Sequence, residues 1–204
     1  MIVTEDLCVL LFNDLPTFGF VLYYSMNVKK ELMRKFSIKI ENVWRYDLMK
    51  VAIITASTAV YKGEQADNSG KVIREMVESA GLDVVFMKAL PTDKTVLSTV
   101  FQRMADGNLA DLILTTGGAG CGPDDCTPEA TMEVIDRPLL GIPEGMRAHM
   151  LTLTKRAMLN RAAAGIRGNV VIVNLPGKAG AVKECLGYIL PEVIHAVEVA
   201  QGRK

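Results

Sequence analysis

Hydrophobic and polar positions follow two rhythms along most of the chain. Val51–Ala56 is a short, unbroken apolar run, the pattern of a strand buried on both faces. Asp83–Ala89 (DVVFMKA), Asp111–Thr116 (DLILTT) and Asn169–Leu175 (NVVIVNL) repeat it. Between these runs apolar residues recur at helical spacing. Val72, Met76, Val77 and Ala80 mark a helix over Gly70–Ala80, closed by Gly81. Val96, Val100 and Phe101 or Met104 mark another over Asp93–Met104. Further helices are predicted from about Thr127-Pro128, over Pro143–Leu159, and as two pieces, Ala179–Leu190 and Pro191–Gln201, whereas Tyr61–Ser69 reads as a polar loop. Strands alternating with helices predict an α/β fold, a three-layer α/β/α arrangement around a mainly parallel sheet. Ligands in such folds meet the carboxyl ends of the strands, so the loops there are the first place to look for chemistry.

The first 48 residues do not share this rhythm. They hold eight of the twelve aromatic residues, no alanine and a single glycine, Gly19. Their most apolar stretch, residues 7–26, is interrupted by Asn13, Asp14 and Pro16 and preceded by Glu5 and Asp6, which fits neither a spanning helix nor a secretion signal. We expect 1–48 to be an N-terminal extension of unknown role, or residues upstream of a natural start at Met49, and 49–204 to be the working domain.

Charge changes the picture by exclusion. The 23 basic and 23 acidic side chains cancel, so a dedicated nucleic-acid binder is not expected, and no membrane partner is indicated. The cysteines, Cys8, Cys121, Cys126 and Cys185, form no Cys-x-x-Cys pair, and only two histidines accompany them. A zinc site is therefore not expected; small packed thiols in a reducing cytoplasm are.

The loop after DLILTT carries the strongest chemical signal. Thr116 ends the strand, and Gly117, Gly118, Gly120 and Gly122 then allow close backbone approach to a ligand. Thr127 suits a helix cap and Pro128 a first helical position, so a helix N-terminus follows, a favourable seat for phosphate. Asp124 and Asp125 would repel a bare phosphate but could share Mg²⁺ with its oxygens. A tight turn with an acidic helix start is the structural alternative. No Gly-Lys-Ser/Thr follows, so this is not a Walker loop. The second loop, Asn174-Leu175-Pro176-Gly177-Lys178, fits a type II turn at the same sheet edge, with Lys178 read as solvated. Ser57-Thr58, Asp67 and Leu90-Pro91-Thr92-Asp93 also fall at that edge, Asp67 and Asp93 being plausible caps as well as ligand contacts.

At the glycine loop, TTGGAGCGPDDCTPEAT resembles the signature of molybdenum-cofactor biosynthesis proteins of the MogA/MoaB type, which also includes the G domain of gephyrin. The resemblance extends through GIPEGMR (Gly141–Arg147), MLNRAAAGIRG (Met158–Gly168) and Asn174–Gly202. It implies the MogA-like fold and molybdopterin adenylyltransferase activity. In that reaction Mg·ATP donates AMP to the terminal phosphate of molybdopterin, pyrophosphate leaves, and a second protein then inserts molybdate. It also implies a homo-oligomer, trimer or hexamer. Carried over by motif, Asp125 would be the essential acid, with Asp93 as a second catalytic candidate and Asp124 beside Asp125 at the metal. Gly117, Gly118 and Gly120 would bind through their backbone, Thr127 and Pro128 would order the helix, and Asn174, Pro176 and Gly177 would line the opposite wall. Ser57 and Asp67 would lie near the nucleotide. The chain departs from the pattern at Thr58, Thr92, Asp124 and Asn160, where the family often has aspartate, aspartate, arginine and serine. Two other functions stay open on these residues: a non-catalytic molybdopterin-binding protein, and a nucleotide pyrophosphate hydrolase of the CinA type.

Overall fold

The computed structural model describes residues 48–203; the 1–48 extension and Cys8 fall outside these apart from Leu48. Lys50–Ala56 (β1), Asp83–Leu90 (β2), Leu112–Thr116 (β3) and Val170–Leu175 (β6) run parallel. Two short strands the apolar pattern did not reveal, Arg137–Pro138 (β4) and Ala164–Arg167 (β5), extend the sheet antiparallel. The order is β2-β1-β3-β6-β5-β4. Arg137 and Pro138 are exposed and form a strand only two residues long, so nothing apolar announces them.

Alternation along the buried strands builds one core on each face. Val51 and Ile53 of β1 point to the same side as Leu112, Leu114, Val171 and Val173. There they meet Ile73 and Val77 of α2 (Asn68–Ser79), Met146 and Met150 of α5 (Gly141–Leu151) and Leu186 and Val193 of α6 (Ala179–Ala200). Ala52, Ile54, Ile113 and Ile172 face the other way, onto Leu97 and Phe101 of α3 (Lys94–Asp106) and Ala130 and Val134 of α4 (Thr127–Val134). Helices cover both faces, as a parallel sheet requires.

Three helix expectations change. Tyr61–Ser69 is not all loop: a single turn, α1 (Thr58–Tyr61), precedes it and α2 starts at Asn68. The segment expected as one helix over Pro143–Leu159 is α5 ending at Leu151 followed by a 3-10 turn, Lys155–Leu159. Thr154 restarts the chain there, its hydroxyl accepting the Arg156 N–H at 3.3 Å. The two pieces expected around Pro191 are one helix. Pro191 and Gly187, whose carbonyl would have received the missing N–H, both lie on the exposed side, so the lost bond falls where solvent has access and not in the core. Leu190, Val193 and Val197 stay buried, so packing holds the helix through the proline. No helix among the described residues is long and apolar enough to cross a membrane.

What matters for the site is the register of the strand ends. Ala56 pairs with Leu90, Thr55 with Thr116, and Thr116 with Leu175, so four parallel strands stop at one level. The chain moves to opposite sides of β1 to form β2 and β3, which leaves a crevice beyond the ends of β1 and β3.

Candidate functional site

The glycine loop enters this crevice because β3 is followed directly by Gly117 and Gly118, both at positive φ (89° and 61°). A Cβ on Gly117 would sit 2.5 Å from the Ala56 carbonyl oxygen, and one on Gly177 would sit 3.2 Å from the Gly117 Cα. The two loops therefore touch backbone to backbone, with Gly117 at a position only glycine fits and Gly177 leaving room for the close approach. Two hydroxyls fasten them, one at the end of β3 and one at the start of α4: Thr116 Oγ1 donates to the Pro176 carbonyl at 2.7 Å, and Thr127 Oγ1 to the Gly117 carbonyl at 2.9 Å. Gly117→Ala is expected to cost roughly 2–4 kcal/mol of stability, from left-handed strain plus the displaced β1 carbonyl. Denaturant unfolding checks this, and a loss under about 1 kcal/mol would contradict the packing argument.

Two cavities flank the contact between the loops. The first, about 490 Å³, is lined by Ser57, Thr92, Thr116, Gly117, Gly118, Asp124, Asp125, Gly177 and Lys178, among others. The second, about 430 Å³ and mainly apolar, is lined by Ala119, Gly120, Met150, Ala157, Leu159 and Pro176, with Arg156 and Lys178 as its cations. Gly177 and Lys178 border both. Asp125 is held in the loop by the Gly122 N–H, which donates to its Oδ2 at 2.8 Å. Among the described residues no group of three or more His, Cys, Asp or Glu could cage a metal. Two neighbouring carboxylates are instead a donor set suited to Mg²⁺ that keeps phosphate and water oxygens.

Two of the thiols are held in the protonated form by their surroundings. Burial pushes the Cys185 thiol up to about 11. Burial, followed by the nearby carboxylates of Asp93, Glu129, Asp125 and Asp124, raises Cys126. Cys121, expected to be packed, is exposed, with its Sγ 3.3 Å from the Leu159 carbonyl oxygen.

A crevice of this form is common to many α/β proteins, so kinship rests on comparison. The family model described as "Probable molybdopterin binding domain" matches residues 52–195. The chain belongs to this molybdopterin-binding family. Within it, the chain is 34% identical over 154 residues to the molybdopterin adenylyltransferase of Helicobacter pylori, covering 74% of this chain and 88% of that protein. It is 38% identical over 158 residues to the molybdopterin adenylyltransferase of Pyrococcus furiosus, covering 74% and 91%. The fold is MogA/MoaB-like. The structure of the molybdopterin biosynthesis enzyme MoaB from Thermus thermophilus matches with a TM-score of 0.72 at 37% identity, over 76% of this chain and 98% of that one. The Mog protein of Mycobacterium ulcerans matches with a TM-score of 0.70 at 32% identity, over 76% and 98%.

The family's glycine loop brings together most, not all, of the residues singled out by sequence. Ser57, Thr116, Gly117, Gly118, Asp124, Asp125 and Gly177 line the first cavity; Gly120, Pro176 and again Gly177 line the second. Ser57 also caps α1, its Oγ accepting the Val60 N–H at 3.4 Å. Asp67 and Asp93 act as caps: Asp67 accepts from the Gly70 N–H at 2.8 Å and from Thr55 Oγ1 at 2.7 Å, and Asp93 from the Val96 N–H at 2.9 Å. Neither lines these two cavities; Thr92 takes the place expected of Asp93. Asn174 lies behind the expected wall, fully buried among Thr115, Thr131 and Ala163. Thr127 and Pro128 are buried too, and the helix cap is Cys126, one residue earlier than expected. That shift frees the Thr127 hydroxyl for Gly117.

Sequence reading missed Met150 and Arg156 and gave no site role to Asn160 and Arg161; these reach the loop or the second cavity from the end of α5 and the segment after it. Lys178, read as solvated, is indeed exposed, but it stands at the junction of the cavities. Thr58 and Thr92 are linked: Thr58 Oγ1 accepts the Thr92 N–H at 3.1 Å, and the two hydroxyls lie 3.3 Å apart.

Proposed function

We propose that the chain is a molybdopterin adenylyltransferase: an oxygen of the molybdopterin phosphate attacks the α-phosphorus of ATP, the bond to pyrophosphate breaks, and AMP-molybdopterin forms. The single observation that carries the reading is the pair of cavities joined at Gly177 and Lys178, one bearing two carboxylates and the other mainly apolar with two cations. The carboxylate cavity suits a Mg·triphosphate and the apolar one a flat heterocycle. Transfer would then cross at the junction, where Lys178 can neutralise phosphate charge. Asp124 and Asp125 would hold the Mg²⁺ ion, which when bound offsets phosphate charge and fixes phosphate orientation. Gly117 and Gly118 bring backbone close to the phosphates. The attacking phosphate is already anionic, so no strong base is needed; the work is orientation and charge.

The same reading includes a cytoplasmic homo-oligomer, trimer or hexamer, and a second protein that receives the product for molybdate insertion. Exposed Leu140 and Tyr188, beside a groove of about 650 Å³ with Pro138, Ile142 and Ala196, support the oligomer. To test the activity, the chain is incubated with molybdopterin and Mg·ATP and the mixture weighed by mass spectrometry. An AMP ester is expected; pterin binding without it would reject the enzyme.

One observation favours a second reading, non-catalytic molybdopterin binding. Thr58 and Thr92, two positions where the chain departs from the resembled pattern, are bonded to each other at the first cavity. Calorimetry separates the two: tight pterin binding without nucleotide affinity favours the binder. The CinA-type hydrolase has less support. The protein CinA from Thermoplasma acidophilum matches at a TM-score of 0.56 but 17% identity, a likeness of fold alone.

A further inference from the structure

One side chain outside both cavities ties the glycine loop at several points. Arg161 is 41 residues from Gly120 and 36 from Asp125 in sequence. Its Nε donates to the Gly120 carbonyl at 2.5 Å, and its Nη2 donates to the Asp125 carbonyl at 2.8 Å. Its Nη1 pairs with the Glu129 carboxylate in the first turn of α4, and its backbone N–H donates to the Ala119 carbonyl at 3.0 Å. One residue thus holds both ends of the stretch 119–125 and the helix behind it.

The stretch has little else to shape it. Cys121, Gly122, Pro123 and Asp124 are exposed. Its other ties are the local Gly122–Asp125 bonds and the weak contact of Cys121 Sγ with Leu159. A guanidinium fits this role because its rigid planar fork can address three acceptors in three directions, which an ammonium on a flexible stem cannot do. The charges agree with this. The hydrogen bond that Arg161 donates to Glu129 raises the Arg161 pKa further. Burial works against the Glu129 charge, but its own backbone hydrogen bond and Arg161 outweigh it, leaving that carboxyl below its usual range.

We propose that Arg161 is a positioning residue: it sets the path of Gly120–Asp125, and through it the placement of the Asp124 and Asp125 carboxylates at the first cavity. The proposal rests on the adenylyl-transfer reading for its effect on turnover, but its structural half stands independently. Arg161 lines neither cavity; it acts through the loop.

The test uses the full chain with Arg161→Ala and Arg161→Lys, in two arms. Without substrates, amide hydrogen exchange across 119–126 is compared with wild type; both variants are expected to exchange faster there, with the sheet unchanged. With molybdopterin and Mg·ATP, kcat is expected to fall about 10²-fold, the effect of a small misplacement of reacting groups. The Mg²⁺ concentration for half-maximal rate rises, while the molybdopterin Kd from calorimetry stays within about two-fold, because the loop is displaced rather than the pocket filled. Added ethylguanidinium is expected to restore part of the Arg161→Ala rate, and lysine is not. Wild-type exchange in the loop of Arg161→Ala overturns the proposal, as does a variant that melts earlier but keeps the wild-type Mg²⁺ dependence. If the wild-type chain makes no AMP ester, the activity reading fails instead, and the exchange arm alone decides the role of Arg161.

Discussion

Asp125→Asn is expected to lower AMP-ester formation by at least about 10²-fold while leaving molybdopterin affinity nearly unchanged. The substitution is chosen for what it preserves. Asparagine has the shape of aspartate, and its carbonyl oxygen can still accept the Gly122 N–H that holds Asp125 in the loop at 2.8 Å. Only the charge is lost. If the carboxylate holds Mg²⁺ against the phosphates, turnover and Mg²⁺ dependence both suffer. The largely apolar second cavity, which Asp125 does not line, keeps its affinity for the pterin. Single-turnover formation of the ester, followed by mass, measures the first effect and calorimetry the second. Unchanged turnover would remove Asp125 from the role proposed for it. The same loss in Asp93→Asn would argue against its reading as a cap, because Asp93 lines neither cavity and its carboxylate accepts the Val96 N–H.

A large effect on stability is also expected at Asn174, a residue first singled out as a ligand contact. Its Nδ2 donates to Thr131 Oγ1 at 2.8 Å and to Thr115 Oγ1 at 3.0 Å, and its Oδ1 accepts the Ala163 N–H at 3.1 Å. One amide thereby joins β3, α4 and the approach to β5 around β6. Asn174→Ala leaves two hydroxyls and a backbone N–H in a buried site without these partners, together with a cavity. With about 1–3 kcal/mol for each polar group left unsatisfied, partly relieved by hydroxyl rotation, a total loss of about 3 kcal/mol is expected. For a chain of this length the melting temperature should fall by roughly 6–12 °C. Scanning calorimetry and denaturant unfolding measure this. A loss under about 1 kcal/mol would mean the three partners find other acceptors and donors.

These two residues illustrate how far the sequence could be read. Asp125 stood in a motif whose glycines, acids and following helix all suit phosphate binding, and the structure brings it to a cavity. Asn174 stood in an equally suggestive loop, but its position at the end of a strand buried on both faces turns its side chain inward. Asp67 and Asp93 each had two readings, because an aspartate three residues before a free helix N–H is a cap whatever lies near it. The hydrogen bonds decide for capping. Arg161 lay inside the resembling segment MLNRAAAGIRG, but nothing there gave it a role. Its partners lie 32 to 41 residues away, and nothing in the surrounding residues names them.

By itself, the sequence determined the four parallel strands and most of the helices that cover them: burial on both faces gives β1, β3 and β6 unbroken apolar runs, the edge strand β2 keeps an apolar run though it is only partly buried, and one-sided burial demands a helical stripe. Its motifs also pointed to the family and to the glycine loop. Tertiary structure alone decided where periodicity is silent. It added the two exposed or very short strands, ended α5 at Leu151, and carried α6 through Pro191 because that proline faces water while its neighbours are packed. It also decided which polar side chains face a cavity, which cap a helix and which bridge the core. That choice depends on what the register of distant strands places opposite each residue, a property no local stretch contains.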